Sequence, residues 1–151
     1  MAILQGDPIV AALRGGFARG LTRSELLQLA AERIRAAGQP YTSVYLYMLH
    51  GVELVLEAWS GRDTEHTRIP VGQGVCGTAV ASGEDQNVGD VRARENYLAC
   101  NLFTRSELVV LIRRGPHILG QIDIDSDELD PFTPLEQAEV RKVADALAVL
   151  L

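Results

Sequence analysis

Apolar and polar positions recur with two different periods along this chain of 151 residues, and each change of period marks an element boundary. Residues 7–19 are apolar at near-helical spacing but are interrupted by Gly15-Gly16, which predicts a weak or broken helix. Thr22-Arg23-Ser24-Glu25 fits a capping box, with the Glu placed to reach back to the cap amide. It opens an amphipathic stretch with Leu26, Leu29, Ala30, Ile34 and Ala37 on one side, ending at Gly38 ahead of Pro40. Residues 43–48 and 53–59 are rich in β-branched, aromatic and leucine positions and flank Leu49-His50-Gly51, which predicts a β-hairpin. Beyond a charged loop at 61–66, residues 76–81 predict one or two helical turns stopped by Gly83. Residues 86–91 allow a short strand, and 92–105 read as irregular.

Residues 107–114 and 117–125 form the clearest hairpin, turned by Gly115-Pro116. If Arg113 pairs with His117 across a three-residue loop, one face carries Leu108, Val110, Ile112, Ile118, Gly120, Ile122 and Ile124. The other face then carries Glu107 directly opposite Asp123, with Gln121 and Asp125 beside them. A two-residue loop would separate Glu107 from Asp123 and mix the faces, so the three-residue register is expected. Thr133-Pro134-Leu135-Glu136 starts a final helix with Val140, Val143, Ala144, Leu147 and Leu150 on one stripe. The expected class is α+β: an antiparallel sheet with N- and C-terminal helices on one face and a ligand pocket on the other.

With 47% hydrophobic residues the chain can build one complete core and is too short for two typical domains. A single domain over 1–151 is expected, with about 1–20 as a weakly ordered helical extension. The net charge of −6 argues against nucleic acid as a partner. No apolar run approaches the ~18 residues of a membrane span, and no signal-like segment opens the chain, so a cytoplasmic location is the default. In a reducing compartment the two cysteines are more often free, redox-active or metal-binding than bridged. Metal is not expected, because there is no CxxC and His50, His66 and His117 lack ligand spacing.

Cys76 sits in Gly72-Gln73-Gly74-Val75-Cys76-Gly77-Thr78, where a helix N-terminus would lower a thiol pKa. The alternative is a small buried hydrophobe at a helix start. Cys100 lies in a loop with no strong periodicity, reactive or inert. Asp123 and Asp125 share one side of their strand, and Glu107 crowds them, which should raise at least one carboxyl pKa and supply a proton donor near neutrality. Pairing with Arg68, Arg105 or Arg113, or exposure to solvent, is the alternative. Trp59, the one tryptophan, belongs to the core or lines a pocket wall, and Asp90 caps a turn.

The ordered set Ile69-Pro70-Val71-Gly72-Gln73-Gly74-Val75-Cys76-Gly77-Thr78, Asp90-Val91, Leu98-Ala99-Cys100, Ser106-Glu107-Leu108 and Gly120-Gln121-Ile122-Asp123-Ile124-Asp125-Ser126 resembles a GAF domain. More narrowly it is similar to the free methionine-(R)-sulfoxide reductases, a catalytic branch of that fold. The resemblance implies that Cys100 attacks and Cys76 resolves. It assigns Glu107, Asp123 and Asp125 to the substrate's amino group and sulfoxide oxygen. No cofactor is implied beyond thioredoxin as external reductant. The family's aromatic wall maps to Thr42 and Leu46, with Tyr45, Tyr47 and Trp59 as the aromatic residues available in its place, and its third cysteine maps to His66. The reading set against this one is a non-catalytic GAF sensor that binds a small ligand and forms a homodimer through its terminal helices.

Overall fold

The computed structural model describes residues 1–94, 97 and 102–151. Its helices are α1 (Gly6–Ala18), α2 (Arg23–Arg35), α3 (Gly74–Ser82) and α4 (Pro134–Leu150). Its strands are β1 (Ser43–His50), β2 (Glu53–Ser60), β3 (Arg68–Pro70), β4 (Gln86–Val88), β5 (Ser106–Arg114) and β6 (His117–Ser126). They form one antiparallel sheet in the order β3-β2-β1-β6-β5-β4. No helix among the described residues is long and apolar enough to cross a membrane.

The strand alternation divides the interior into two apolar layers. Val44, Leu46, Met48, Leu108, Val110, Ile112, Ile122 and Ile124 face the stripes of α2 and α4, which cover one side of the sheet. Tyr45, Tyr47, Val109 and Leu111 point to the opposite side, against Val75, Cys76 and Ala79 of α3. The N- and C-terminal helices thus pack on one face as expected, with α1 lying across α4 and α2, while α3 lies on the other.

Both helix starts are closed as their sequences predict. Glu25 N–H donates to Thr22 Oγ1 at 3.2 Å and Thr22 N–H to Glu25 Oε1 at 2.9 Å. At α4, Glu136 N–H donates to Thr133 Oγ1 at 3.3 Å, but the Glu136 carboxylate has another task. It is buried and accepts from Ile3 N–H at 2.6 Å, Leu4 N–H at 3.0 Å and Tyr41 O–H at 2.6 Å. One carboxylate therefore ties the N-terminal segment and the approach to β1 onto α4.

The expected break at Gly15-Gly16 does not occur, and α1 runs through both residues. A Cβ on Gly16 would lie 2.6 Å from Leu21 Cδ1, so the glycine is there for close packing rather than for a break.

The β5–β6 register also differs from expectation. Arg114 pairs with His117 around a two-residue turn, and a bulge at Leu119 then shifts the ladder by one. From Ile112↔Gly120 onward the pairs place Leu108 opposite Ile124 and Glu107 opposite Asp125, with Val109 opposite Asp123. The bulge restores face parity, so the predicted apolar face survives with one exchange: Leu119 packs on the helix side and Ile118 on the other. A turn that should have mixed the faces is corrected two residues later.

Candidate active site

The side of the sheet away from α2 and α4 holds a cavity, and four separate segments supply most of its walls. β1 gives Tyr45 and Tyr47, β5 gives Glu107, β6 gives Asp123 and Asp125, and the first turn of α3 gives Gly74, Val75 and Cys76. Strand periodicity puts each pair on the same side at alternate positions. Thr64, His66, Ile69, Gln73 and Tyr97 complete the lining. The two tyrosines fasten the charged loop over the site: Tyr45 O–H donates to the Arg62 carbonyl and Tyr47 O–H to the His66 carbonyl, each at 2.7 Å.

α3 approaches the sheet through Gly77. A Cβ there would lie 2.6 Å from the Pro70 carbonyl oxygen and 2.9 Å from Gly72 N, so only glycine lets the helix start close against the glycine-rich turn. Gln121, fully buried on β6, donates from Nε2 to the Cys76 carbonyl at 3.1 Å and fixes the same turn from below.

Cys76, Glu107 and Asp123 are each 5% exposed. The thiol donates to Glu107 Oε2 at 3.7 Å, and the sulfur and one oxygen from each carboxyl all lie within 4.8 Å of one another. Burial, followed by the charge and hydrogen bond of Asp123, holds the Glu107 carboxyl well above the usual range, so it is the protonated partner. Asp123 is pushed up to about 7, by burial first and by the Asp125 charge second, while hydrogen bonds from Glu107 and Cys76 favour its ionised form. Asp123 Oδ1 has no hydrogen-bond partner among the described residues.

Of the two readings of Cys76, the thiol follows the buried one and not the activation suggested by its helix position. Burial, then the acidic neighbours Asp123 and Glu107, push the Cys76 thiol well above its ordinary value. A helix N-terminus contributes roughly 0.3–1 kcal/mol at an exposed site, too little to offset desolvation next to two carboxyls. The acids do not face solvent, and among the described residues no ion pair joins Glu107 or Asp123 to an arginine. Arg68 pairs with Glu53 at 2.7 Å, and Arg113 donates to the Gly83 carbonyl.

Other predicted residues are dispersed. Leu46 faces the helix-side core, and Thr42 accepts from Asp127 N–H at 3.2 Å outside the cavity. Trp59 stands opposite Tyr45 on β2, is 41% exposed and is not part of the lining. Asp90 caps its turn as expected, accepting from Arg92 N–H at 3.1 Å. Cys100 lies outside the described residues. Thr64, Gln73 and Tyr97 carried no signal in the sequence beyond nearness to the glycine-rich turn or to Cys100.

The family model of the GAF domain matches residues 22–151. The chain belongs to this family. The GAF domain is similar to the free methionine-R-sulfoxide reductase of Escherichia coli, at 36% identity over 105 residues, covering 70% of this chain and 63% of the relative. Its fold matches the free methionine-R-sulfoxide reductase of Neisseria meningitidis, solved in complex with its substrate, with a TM-score of 0.85 at 30% identity. That match covers 94% of this chain and 85% of the other. The type II free methionine-R-sulfoxide reductase of Thermoplasma acidophilum matches with a TM-score of 0.79 at 32% identity, covering 94% of each chain. Against the curated relatives, the GAF domain spans from 43% to 63% of their length.

Proposed function

We propose that this GAF domain reduces free methionine-(R)-sulfoxide, or a close small sulfoxide, with Cys100 as the attacking thiol and Cys76 as the resolving one. The observation that carries the reading is the buried Cys76–Glu107–Asp123 cluster at the end of a cavity walled by Tyr45 and Tyr47. A buried carboxyl that keeps its proton at neutral pH is what reduction of a sulfoxide requires, because the oxygen leaves only when protonated.

The thiolate of Cys100 bonds to the sulfoxide sulfur as Glu107 protonates the oxygen. The oxygen then passes to the cysteine, methionine departs as the reduced thioether, and Cys100 remains as a sulfenic acid. Cys76 condenses with it, releasing water and forming a disulfide, which a dithiol protein such as thioredoxin reduces. Asp123, close to half-ionised at neutral pH, is placed to take the Cys76 proton in that step. A thiol held protonated by burial and by two acids is poorly suited to attack first, which supports the division of labour. Asp123 and Asp125 supply negative charge for the substrate's ammonium group, and the ring faces of Tyr45 and Tyr47 supply the apolar wall. The reading extends to a homodimer through the terminal helices, where Phe17, Leu135 and Val149 are exposed.

The test is thioredoxin-coupled NADPH consumption with each epimer of free methionine sulfoxide, followed by mass spectrometry of the substrate-treated reduced protein. Turnover of the R epimer and a substrate-dependent Cys76–Cys100 disulfide are expected. Inert thiols together with a ligand-dependent change of oligomeric state would instead favour a non-catalytic sensor.

A further inference from the structure

The linear spacing that argues against a metal does not register donors brought together from three elements. Cys76 of α3, Glu107 of β5 and Asp123 of β6 converge with one donor atom each within 4.8 Å of the others. The Cys76 Sγ to Glu107 Oε2 distance is 3.7 Å. A tetrahedral zinc ion with Zn–S of about 2.3 Å and Zn–O of about 2.1 Å separates such a pair by about 3.6 Å. This pair already has the separation such an ion needs, and the remaining pairs, within 4.8 Å, must draw together to match it.

One observation outside this distance match points to a missing partner at the site. Asp123 Oδ1 lacks a hydrogen-bond partner among the described residues although its side chain is 5% exposed and lines the cavity. Buried acceptors of this kind are ordinarily satisfied by a donor or a cation. No ion pair to Glu107 or Asp123 occurs among the described residues. Arg94, whose charge acts on Glu107, donates to Gln86 Oε1 at 3.3 Å.

We infer that Cys76, Glu107 and Asp123 form a binding site for a thiophilic divalent cation of the zinc type, which occupies the cavity in competition with substrate. One sulfur among oxygen donors selects zinc over magnesium or calcium, which take all-oxygen shells. Three protein donors leave the fourth position facing the cavity. On binding, the thiol proton and the Glu107 proton pass to solvent, and the cation neutralises the crowded charge. The bound ion covers the proton donor and the resolving sulfur together, so it is an inhibitor. Only this inhibitory consequence rests on the reductase reading; the binding itself does not.

The experiment is a titration of reduced, chelator-treated protein with Co2+, followed by Zn2+. A near-ultraviolet thiolate-to-cobalt band and visible bands of tetrahedral intensity are expected, and zinc should abolish both. Cys76→Ser should lose the near-ultraviolet band, while Asp123→Asn and Glu107→Gln should each weaken cobalt binding at least tenfold. These two variants keep the test decisive should Cys76→Ser not fold. Absence of the band in wild-type protein, or a band lost in Cys100→Ser but kept in Cys76→Ser, would overturn the site. In the coupled assay, zinc should raise KM for the sulfoxide reversibly, with chelator restoring it. If cobalt binds and no sulfoxide is turned over, the cation site stands and the reductase reading falls.

Discussion

Glu107 stands opposite Asp125 in the β5–β6 ladder, yet its carboxyl hydrogen-bonds to Asp123, the diagonal neighbour two residues along β6. The diagonal contact leaves Asp125 as the nearby charge that raises Asp123. Three acids on one sheet face thus hold unequal protonation: Glu107 keeps its proton, and Asp123 titrates near neutrality.

Glu107→Gln preserves the shape and a hydrogen-bond donor but cannot release a proton. Turnover of the sulfoxide is expected to fall roughly 10²–10⁴-fold, with substrate affinity much less changed. Steady-state kinetics together with direct binding of the R epimer separate the two effects, and an unchanged kcat would remove Glu107 from the proton-donor role.

Cys76→Ser leaves the first thiol in place without its resolver. The variant should release methionine once per chain and stop, with a sulfenic acid that dimedone traps on Cys100. Sustained turnover with thioredoxin would show that Cys76 is not needed for resolution.

The pH dependence of stability follows from Asp123. Its ordinary value is 3.8 and its folded value about 7, so between these pH values the folded chain binds more protons than the unfolded one. Stability contributed by this group is complete below the lower value and is lost as pH rises through the upper. Asp123→Asn should flatten the decline and stabilise the protein at pH 8, by at most on the order of 4 kcal/mol. Urea unfolding at a series of pH values measures it, and an unaltered slope would count against the assignment.

Glu136→Ala removes the acceptor of Tyr41 O–H, Ile3 N–H and Leu4 N–H in one step. Stranding three donors, two of them on the backbone, should cost about 3–5 kcal/mol. Chemical denaturation reads the loss, and Tyr41→Phe, which strands only one side of a single bond, should cost about 1–2 kcal/mol.

Local chemistry was legible in the sequence where the determinants are local. The Thr22 and Thr133 caps, the glycine-rich entry to α3 and the shared face of Asp123 and Asp125 need only neighbouring residues to specify them. The site was legible as far as its acids and Cys76. Its tyrosines were legible only as candidates beside Trp59, because alternate positions of a mostly apolar strand look alike until the other layer of the sheet is known. Hence Leu46, in the expected wall, faces α2 and α4, while Tyr45 and Tyr47 face the cavity. For Cys76 the two readings, activated thiol or buried hydrophobe, stayed open for a similar reason. A helix start can be seen along the chain, but desolvation by two other strands cannot. Ile118-Leu119 hid the bulge, since either residue suits an apolar layer.

That single extra residue acts on the strand as a frame-restoring insertion acts on a coding sequence. Upstream of it the two strands are one step out of phase, and downstream every side chain returns to its proper wall. Hairpin lengths that differ by two residues keep Glu107 and Asp123 on the cavity side, whereas a change of one reverses the wall assignment of β6. Deleting Leu119 alone would leave the acids intact in composition and turn Asp123 and Asp125 toward the apolar layer, away from Glu107. In this fold the spacing of a turn more than 10 Å of strand away sets which residues can meet a ligand.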